Sequence, residues 1–347
     1  MNFTSTILNW YHLHQRDLPW RNTQDPYRVW LSEIILQQTR VNQGLPYYLK
    51  FVNTFPTVFD LANATEQQVL KLWQGLGYYS RARNLHDTAK TLVEKYQGVF
   101  PQTYNELKKL KGVGEYTASA ISSICFDEPQ AVVDGNVYRV LSRIFGIKTP
   151  IDSTNGQKEF KLLAQKLLDK NHPGEYNQAV MEFGATQCTP VPNCTDCIFL
   201  NQCHAYQKNE IQQLPVKAGK TKIQPLWFHY LVVVSEDGKT IVNKRSGDGI
   251  WKNLYEFPNL VFDKPETLSR KRIKENLPDV DVQKIILSNE KPIIHKLSHR
   301  HLHISFWVVY TKKIHTKGVS ISQLEEYPVP VVLQKFIRNT LLRTTKI

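Results

Sequence analysis

Apolar positions recur at helical spacing through roughly the first two hundred residues, then give way to short β-type runs. Phe3, Ile7, Leu8 and Tyr11 mark a first helix, and Pro19 stops it. Residues 28–42, RVWLSEIILQQTRVN, predict an almost wholly apolar helix through Val29, Leu31, Ile34, Ile35 and Leu36, with Ser32-Glu33 inside it. Residues 44–100 alternate helical patterns with Pro and Gly breaks. Two helical patterns then meet at Leu110-Lys111-Gly112-Val113-Gly114, the second beginning at Glu115-Tyr116-Thr117, and the apolar Ala131-Val132-Val133 leads into Asp134-Gly135-Asn136. Residues 151–187 are helical again. From Gln207 to Gln224 the chain turns polar and reads as a linker. Beyond it, His229–Val234, Thr240–Lys244, Ile285–Leu287 and His303–Tyr310 are rich in β-branched and aromatic residues and predict strands. The expectation is a mainly α part over 1–207, a linker over 208–225 and a smaller α+β domain over 226–347, without internal repeats.

A chain of 347 residues is long enough for two cores. A net charge of +13 points to a polyanionic partner, because phosphates neutralised by Lys and Arg release their counterions. No apolar run approaches the ~20 residues of a membrane span, and no Lys-rich amphipathic helix with an exposed apolar face stands out. The opening MNFTSTILNWYHLHQRDLPWR lacks the layout of a signal peptide. A cytoplasmic protein without membrane contact is expected, in a compartment where five cysteines do not form a disulfide framework.

Candidate chemistry follows. Gly112 and Gly114 precede a helix start whose free N–H groups and positive end suit a phosphate. A Glu inside an apolar helix is seldom buried unless paired or functional, and desolvation favours its protonated form; Glu33 is such a residue, or else a helix-edge partner of an Arg. Gln37-Gln38-Thr39 offers uncharged groups for base edges. Trp73–Arg83, with two glycines, two tyrosines and two arginines, can fill an opened base stack and hold phosphate, or form an ordinary aromatic core. Arg16 and Arg21 flank Trp20 as phosphate clamps or surface charge. Cys188, Cys194, Cys197 and Cys203, within sixteen residues, signal a metal site, either zinc or iron–sulfur. Cys125 lies on an apolar helix face and reads as core.

Together WLSEIILQQT, GLGYYSRARNL, LKGVGEYTA, VDGNVYRVLSR, the cysteine cluster and LSHRHLHISFW resemble the MutY-type adenine DNA glycosylases of the helix–hairpin–helix superfamily, nearly end to end. The resemblance implies a two-lobed, all-helical catalytic core over 1–207, a 4Fe–4S cluster on the 188–203 loop, and a Nudix-like domain over 226–347 that recognises 8-oxoguanine. It implies a monomer acting on double-stranded DNA, nucleoid-associated in a bacterium, that removes adenine mispaired with 8-oxoguanine or guanine. Matched by position, Glu33 is the acid that protonates the flipped adenine, and Asp134 the carboxylate that stabilises the sugar cation. Tyr116 and Asn136 hold these two carboxylates, and Gln178 and Glu182 line the adenine pocket. Gln38, Thr39, Leu76 and Tyr78 meet the 8-oxoguanine side, with Tyr78 as wedge, and Ser298 and His299 sense the 8-oxo group.

Related bifunctional enzymes carry lysine where this chain has Tyr116, so the resemblance implies a monofunctional glycosylase. The alternatives are an endonuclease III-like glycosylase/lyase, disfavoured by Tyr116 and the long C-terminal part, and a non-catalytic DNA-binding module holding zinc, disfavoured by Glu33 and Asp134. Three departures stand out. The first cysteine gap is five residues where the family usually has six, and Leu297-Ser298-His299 replaces Phe-Ser-His. GIWKNLYEFPN lies near the place of a Nudix box, but Glu266, Arg270, Lys271 and Arg272 do not reproduce its metal-binding glutamates, so recognition rather than nucleotide hydrolysis is expected.

Overall fold

The computed structural model describes residues 2–219, 223–315 and 318–344. In chain order its helices are α1 (Phe3–His14), α2 (Pro26–Leu36), α3 (Val41–Thr54), α4 (Val58–Asn63), α5 (Glu66–Leu72), α6 (Ser80–Tyr96), α7 (Tyr104–Leu107), α8 (Glu115–Phe126), α9 (Gly135–Phe145), α10 (Thr154–Leu167), α11 (Pro173–Thr186) and α12 (His204–Gln207). The chain divides into two compact units, residues 1–63 with 84–220 and residues 64–83 with 221–347.

In the first unit α2 is capped by Asp25, whose side chain accepts from the Tyr27 N–H, and Pro26 supplies a fixed first turn. Its residues Val29 to Ile35 are buried on every side, as expected of an apolar helix with no solvent face. The short side chains of α8, buried from Thr117 to Ile124, let α2 and α11 pack closely against it. α11 also lies against α1 and α9. Two glycines set its approach: a Cβ at Gly174 would meet the Ser123 carbonyl oxygen at 2.6 Å, and one at Gly184 would meet Asn136 Cβ at 2.7 Å. Asn177, buried on α11, donates to the Gln130 carbonyl at 2.7 Å and to Ser123 Oγ at 2.9 Å, and accepts from the Val132 N–H at 3.1 Å. It thereby fixes the extended Ala131–Val133 segment that delivers Asp134 to the start of α9.

Most of the described part of the expected linker is anchored to this unit. Leu214 is buried, its carbonyl accepts from Arg143 Nε at 3.1 Å, and Asp152 takes the N–H groups of Ala218 and Gly219 at 2.8 and 3.0 Å. Residues 220–222 lie outside the described residues.

The second unit carries β1 (Gln224–Ser235), β2 (Lys239–Thr240), β3 (Asn243–Lys244), β4 (Tyr255–Glu256), β5 (Asn259–Phe262), α13 (Arg270–Glu275), β6 (Lys284–Leu287), β7 (Ile293–Lys296), β8 (Arg300–Thr311), β9 (Val319–Ser320) and α14 (Val331–Phe336). The sheet order is β5-β1-β8-β6, with β7 also on β8; β1 and β8 run parallel at its centre, and the other pairs are antiparallel. Residues 64–83 belong to this unit and contact the loop between β3 and β4. Glu66 accepts both Asn253 contacts at 2.9 Å, and Arg83 Nη1 donates to the Lys252 carbonyl at 2.9 Å.

Candidate active site

Glu33 sits in the third turn of α2 with 9% of its surface exposed. Burial pushes its pKa up to about 7; a hydrogen bond from the Tyr116 hydroxyl opposes that rise, and the neighbouring Asp134 charge adds to it. Asp134 caps α9: its Oδ1 accepts the N–H groups of Asn136 at 2.9 Å and Val137 at 2.7 Å, and its Oδ2 accepts Asn136 Nδ2 at 2.8 Å. Burial raises its pKa above the usual aspartate value despite these three donors and the nearby Arg139. The Tyr116 hydroxyl donates to Met181 Sδ at 3.2 Å. Burial, Glu33 and Asp134 hold its pKa well above the ordinary phenol value, so it stays a neutral donor. The structure thus brings together Glu33, Tyr116, Asp134 and Asn136 from three different helices.

Arg139 was not legible as a site residue. Its Nη2 reaches Asn136 Oδ1 at 2.8 Å and the Gly184 carbonyl at 2.6 Å, and its Nε reaches the Cys188 carbonyl at 2.7 Å. Its position three residues after Asn136 was the available sign that the two side chains share a helix face. Asn177 and Met181 were missed as well, since nothing local to either residue marks its partner.

On α11, Gln178 Oε1 accepts from the Tyr11 hydroxyl at 2.9 Å. Glu182, its side chain fully buried, receives Arg16 Nε at 2.7 Å, Arg16 Nη2 at 2.6 Å, Arg21 Nη2 at 2.6 Å and the Arg16 N–H at 3.0 Å. Burial alone would raise its pKa, but the two guanidiniums outweigh it and bring it down to about 2. Arg16 and Arg21 are therefore organised around a buried carboxylate rather than standing as solvated charges.

At the glycine turn, Gly112 takes φ +77°, a left-handed conformation that a side chain resists, and a Cβ there would meet Asn84 Cβ at 2.7 Å. Gly114 has ordinary extended backbone, open space at its Cβ, and the N-cap position of α8 with no side-chain cap. The first N–H groups of α8 are thus left without a capping side chain. Gln38 (φ 54°) and Thr39 lie in the turn after α2; Gln38 is exposed and Thr39 half-buried.

In the second unit Leu76 is buried, whereas Tyr78 is 46% exposed and holds a left-handed φ of 45°. The Arg81 guanidinium lies 5.6 Å from the Tyr78 ring centroid and 5.1 Å from that of Trp73. Ser298 and His299 form the tip of the β7–β8 hairpin, closed by the Leu297 N–H to the Arg300 carbonyl at 2.7 Å. Ser298 Oγ lies 3.2 Å from His299 Nδ1.

Cys188, Cys194, Cys197 and Cys203 line one cavity with Arg143, Phe183 and Phe199. Among the described residues no three His, Cys, Asp or Glu converge to hold a single metal ion. Buried Arg143 donates to the carbonyls of Leu214, Thr189 and Pro190 at 3.1, 2.6 and 3.0 Å, and lies 3.7 Å from Cys188 Sγ. A fixed cation beside a cavity lined by four cysteines suits an anionic iron–sulfur cluster. Cys125 stands apart, partly buried near the end of α8.

Residues 31–168 match the HhH-GPD superfamily of base excision DNA repair proteins, and residues 229–339 match the NUDIX domain family. The adenine DNA glycosylase of Buchnera aphidicola subsp. Baizongia pistaciae is 37% identical over 313 residues, covering 89% of this chain and 87% of that one. The solved structure of a thermostable thymine-DNA glycosylase aligns with TM-score 0.55 and 31% identity over 59% of this chain and 95% of that one. An endonuclease III bound to DNA shares the fold at TM-score 0.51 and 22% identity, over 59% of this chain and 94% of that one.

Proposed function

The chain belongs to the adenine DNA glycosylases, within the HhH-GPD superfamily of base excision DNA repair proteins, and from that premise we propose that it excises adenine opposite 8-oxoguanine or guanine, with Glu33 as general acid. It is a DNA glycosylase, a hydrolase of N-glycosyl bonds that initiates base excision repair. Glu33 itself carries the mechanistic reading. A carboxyl enclosed in an apolar helix and protonated up to about pH 7 is a proton donor at the pH of the cell.

Adenine leaves poorly as an anion. A proton delivered by Glu33 to a ring nitrogen turns it into a neutral leaving group. As the glycosidic bond stretches, positive charge develops on the sugar, and Asp134 is the carboxylate set to stabilise it. Its three N–H donors fix its oxygens and offset part of the burial that raises its pKa. One carboxyl acting as acid and a second as cation stabiliser is the division of labour of glycoside hydrolysis. Glu33, once ionised, takes a proton from the attacking water. Tyr116 stands where a lyase would place an amine, and its neutral phenol forms no Schiff base, which supports a monofunctional enzyme.

The base must leave the duplex to reach a buried acid. Tyr78, exposed and beside Arg81, is the wedge of this reading. Gly112, Gly114 and the uncapped start of α8 take a backbone phosphate. Gln178 and Glu182 face the adenine, and Gln38, Thr39, Ser298 and His299 read the opposite base, residues 226–347 serving as the 8-oxoguanine-recognition domain. Cys188, Cys194, Cys197 and Cys203 hold a 4Fe–4S cluster, which braces the loop they stand on. The protein acts as a cytoplasmic monomer. No described helix is long and apolar enough to cross a membrane.

The test is single-turnover adenine release from a duplex with one A·8-oxoguanine pair, for wild type and Glu33→Gln, with binding to that duplex measured for both. Release by wild type and a bound but inert variant is the expected result. Strand cleavage trapped by borohydride would favour a lyase, and binding without release by wild type would sink the enzyme reading.

A further inference from the structure

The Tyr116 hydroxyl has one proton and two acceptors for it. It donates to Met181 Sδ at 3.2 Å, and the Glu33 carboxyl, whose pKa the phenol holds down, is the stronger acceptor beside it. A thioether is a weak acceptor, so the phenol is divided between a weak partner and the acid. Met181 lies between buried Val180 and buried Glu182 on α11 but is itself only partly buried, and the chain's other methionine is Met1. We propose that Met181 is an oxidation-sensitive positioning residue: its thioether competes with Glu33 for the Tyr116 proton, and its conversion to a sulfoxide draws Tyr116 away from the acid. This rests on Glu33 being the general acid.

The oxidant is a hydroperoxide. A sulfur lone pair attacks the peroxide oxygen that bears hydrogen, the S–O bond forms and the O–O bond breaks. The other oxygen leaves as hydroxide (from hydrogen peroxide) or alkoxide, which takes the proton from the new S–OH to become water or an alcohol; the thioether is oxidised and the peroxide reduced. The sulfoxide oxygen is a strong acceptor where the thioether was a weak one. Leucine at 181 accepts nothing, which leaves the proton to Glu33. The two changes therefore act on Glu33 in opposite directions.

The titratable groups that act on Glu33 are Tyr116 from α8 and Asp134 from the turn before α9, and the Glu33 charge in turn reaches Cys125 on α8. Burial, with Asp25, Glu33 and Asp127 adding to it, pushes the Cys125 thiol up to about 12, so it stays neutral through the working range. On α11 the Glu182 charge is matched by Arg16 and Arg21. Tyr116 is the group whose partner Met181 sets.

The test uses the full chain with its cluster and follows single-turnover adenine release across about pH 5 to pH 9, where the acid's ionisation appears as an alkaline limb. Wild type, Met181→Leu and Glu33→Gln are compared before and after hydrogen peroxide, with the Met181 sulfoxide quantified by mass spectrometry. The alkaline limb moves to lower pH in Met181→Leu and to higher pH in oxidised wild type, each by up to about one unit, the scale of one charge-assisted hydrogen bond. Peroxide leaves the limb of Met181→Leu where it was, and a methionine sulfoxide reductase restores the wild-type profile. An unmoved limb in both cases, shifts in the same direction, or a peroxide effect that persists without Met181 overturns the proposal. If Met181→Leu does not fold, the oxidised and re-reduced wild type decide alone. Full activity of Glu33→Gln would instead remove the reading of Glu33, a separate result.

Discussion

Arg139 ties the carbonyl of Cys188 to the side chain of Asn136: one guanidinium donates to the first at 2.7 Å and to the second at 2.8 Å. Asn136 in turn donates to Asp134 at 2.8 Å. The backbone of the cysteine loop and the carboxylate at the start of α9 are thus joined through two side chains, and each contact is short enough to transmit a displacement. Arg139→Gln should keep the helix but lose the fork. Adenine release is expected to fall roughly 10- to 100-fold, the scale of one or two charge-assisted hydrogen bonds, with a smaller loss in duplex binding. A variant that released adenine at the wild-type rate would show that Asp134 needs no support from the loop.

Glu33 makes a second prediction, on stability. Its pKa rises from 4.5 in the unfolded chain to about 7 when folded. The native state therefore binds the proton more tightly, and stability falls as pH rises between those two values. Glu33→Gln keeps the shape and removes the titration. It should match wild type near pH 4 and exceed it at pH 8 by up to about 3 kcal/mol, seen as a raised melting temperature in the inactive variant. Equal melting temperatures at pH 8 would mean that Glu33 is not desolvated.

For Glu182 the sign reverses. Its folded pKa of about 2 lies below the unfolded 4.5, so its contribution is present above the unfolded value and is lost as pH falls through the folded one. Glu182→Gln leaves Arg16 and Arg21 without their shared anion, and breaking such a buried pair costs about 3 kcal/mol. The melting-temperature gap to wild type should be widest at neutral pH and close as pH drops from about 5 toward 2. A constant gap would assign the loss to packing rather than charge.

Glu33 could be read from the sequence because a charge inside VWLSEIIL contradicts its surroundings, and contradiction is a local signal. Asp134 was legible as a carboxylate closing the apolar Ala131–Val133 run, and the cysteines by their spacing. Arg139 and Asn177 were not: their partners are backbone carbonyls and side chains 45 to 54 residues away, and a carbonyl acceptor leaves no mark in composition. Nor could the joining of Glu182 to Arg16 and Arg21 be seen across more than 160 residues. In the C-terminal part, strands were expected at His229 and His303 but begin at Gln224 and Arg300. The polar, Pro-containing and His-rich openings of β1 and β8 hid pairing that comes from their parallel partnership over twelve residues. The same non-locality concealed that residues 64–83 group with residues 221–347.

Tyr78 combines exposure with a left-handed backbone, and the two can be separated by substitution. A non-glycine residue at φ 45° carries strain, of order 1 kcal/mol or more, that glycine does not. Tyr78→Gly should therefore leave the melting temperature unchanged or raised, since a side chain this exposed contributes little burial. Its function should fail all the same. A ring that fills the gap left by an extruded base is worth about 1–3 kcal/mol per stacked base, so adenine release from the A·8-oxoguanine duplex is expected to slow by roughly 10- to 100-fold. Binding to undamaged duplex should change little, because the phosphate contacts remain. Tyr78→Ala gives the matching control: the same lost ring with the strain retained. If Gly and Ala variants lose stability together and keep full adenine release, Tyr78 is a packing residue and the wedge lies elsewhere.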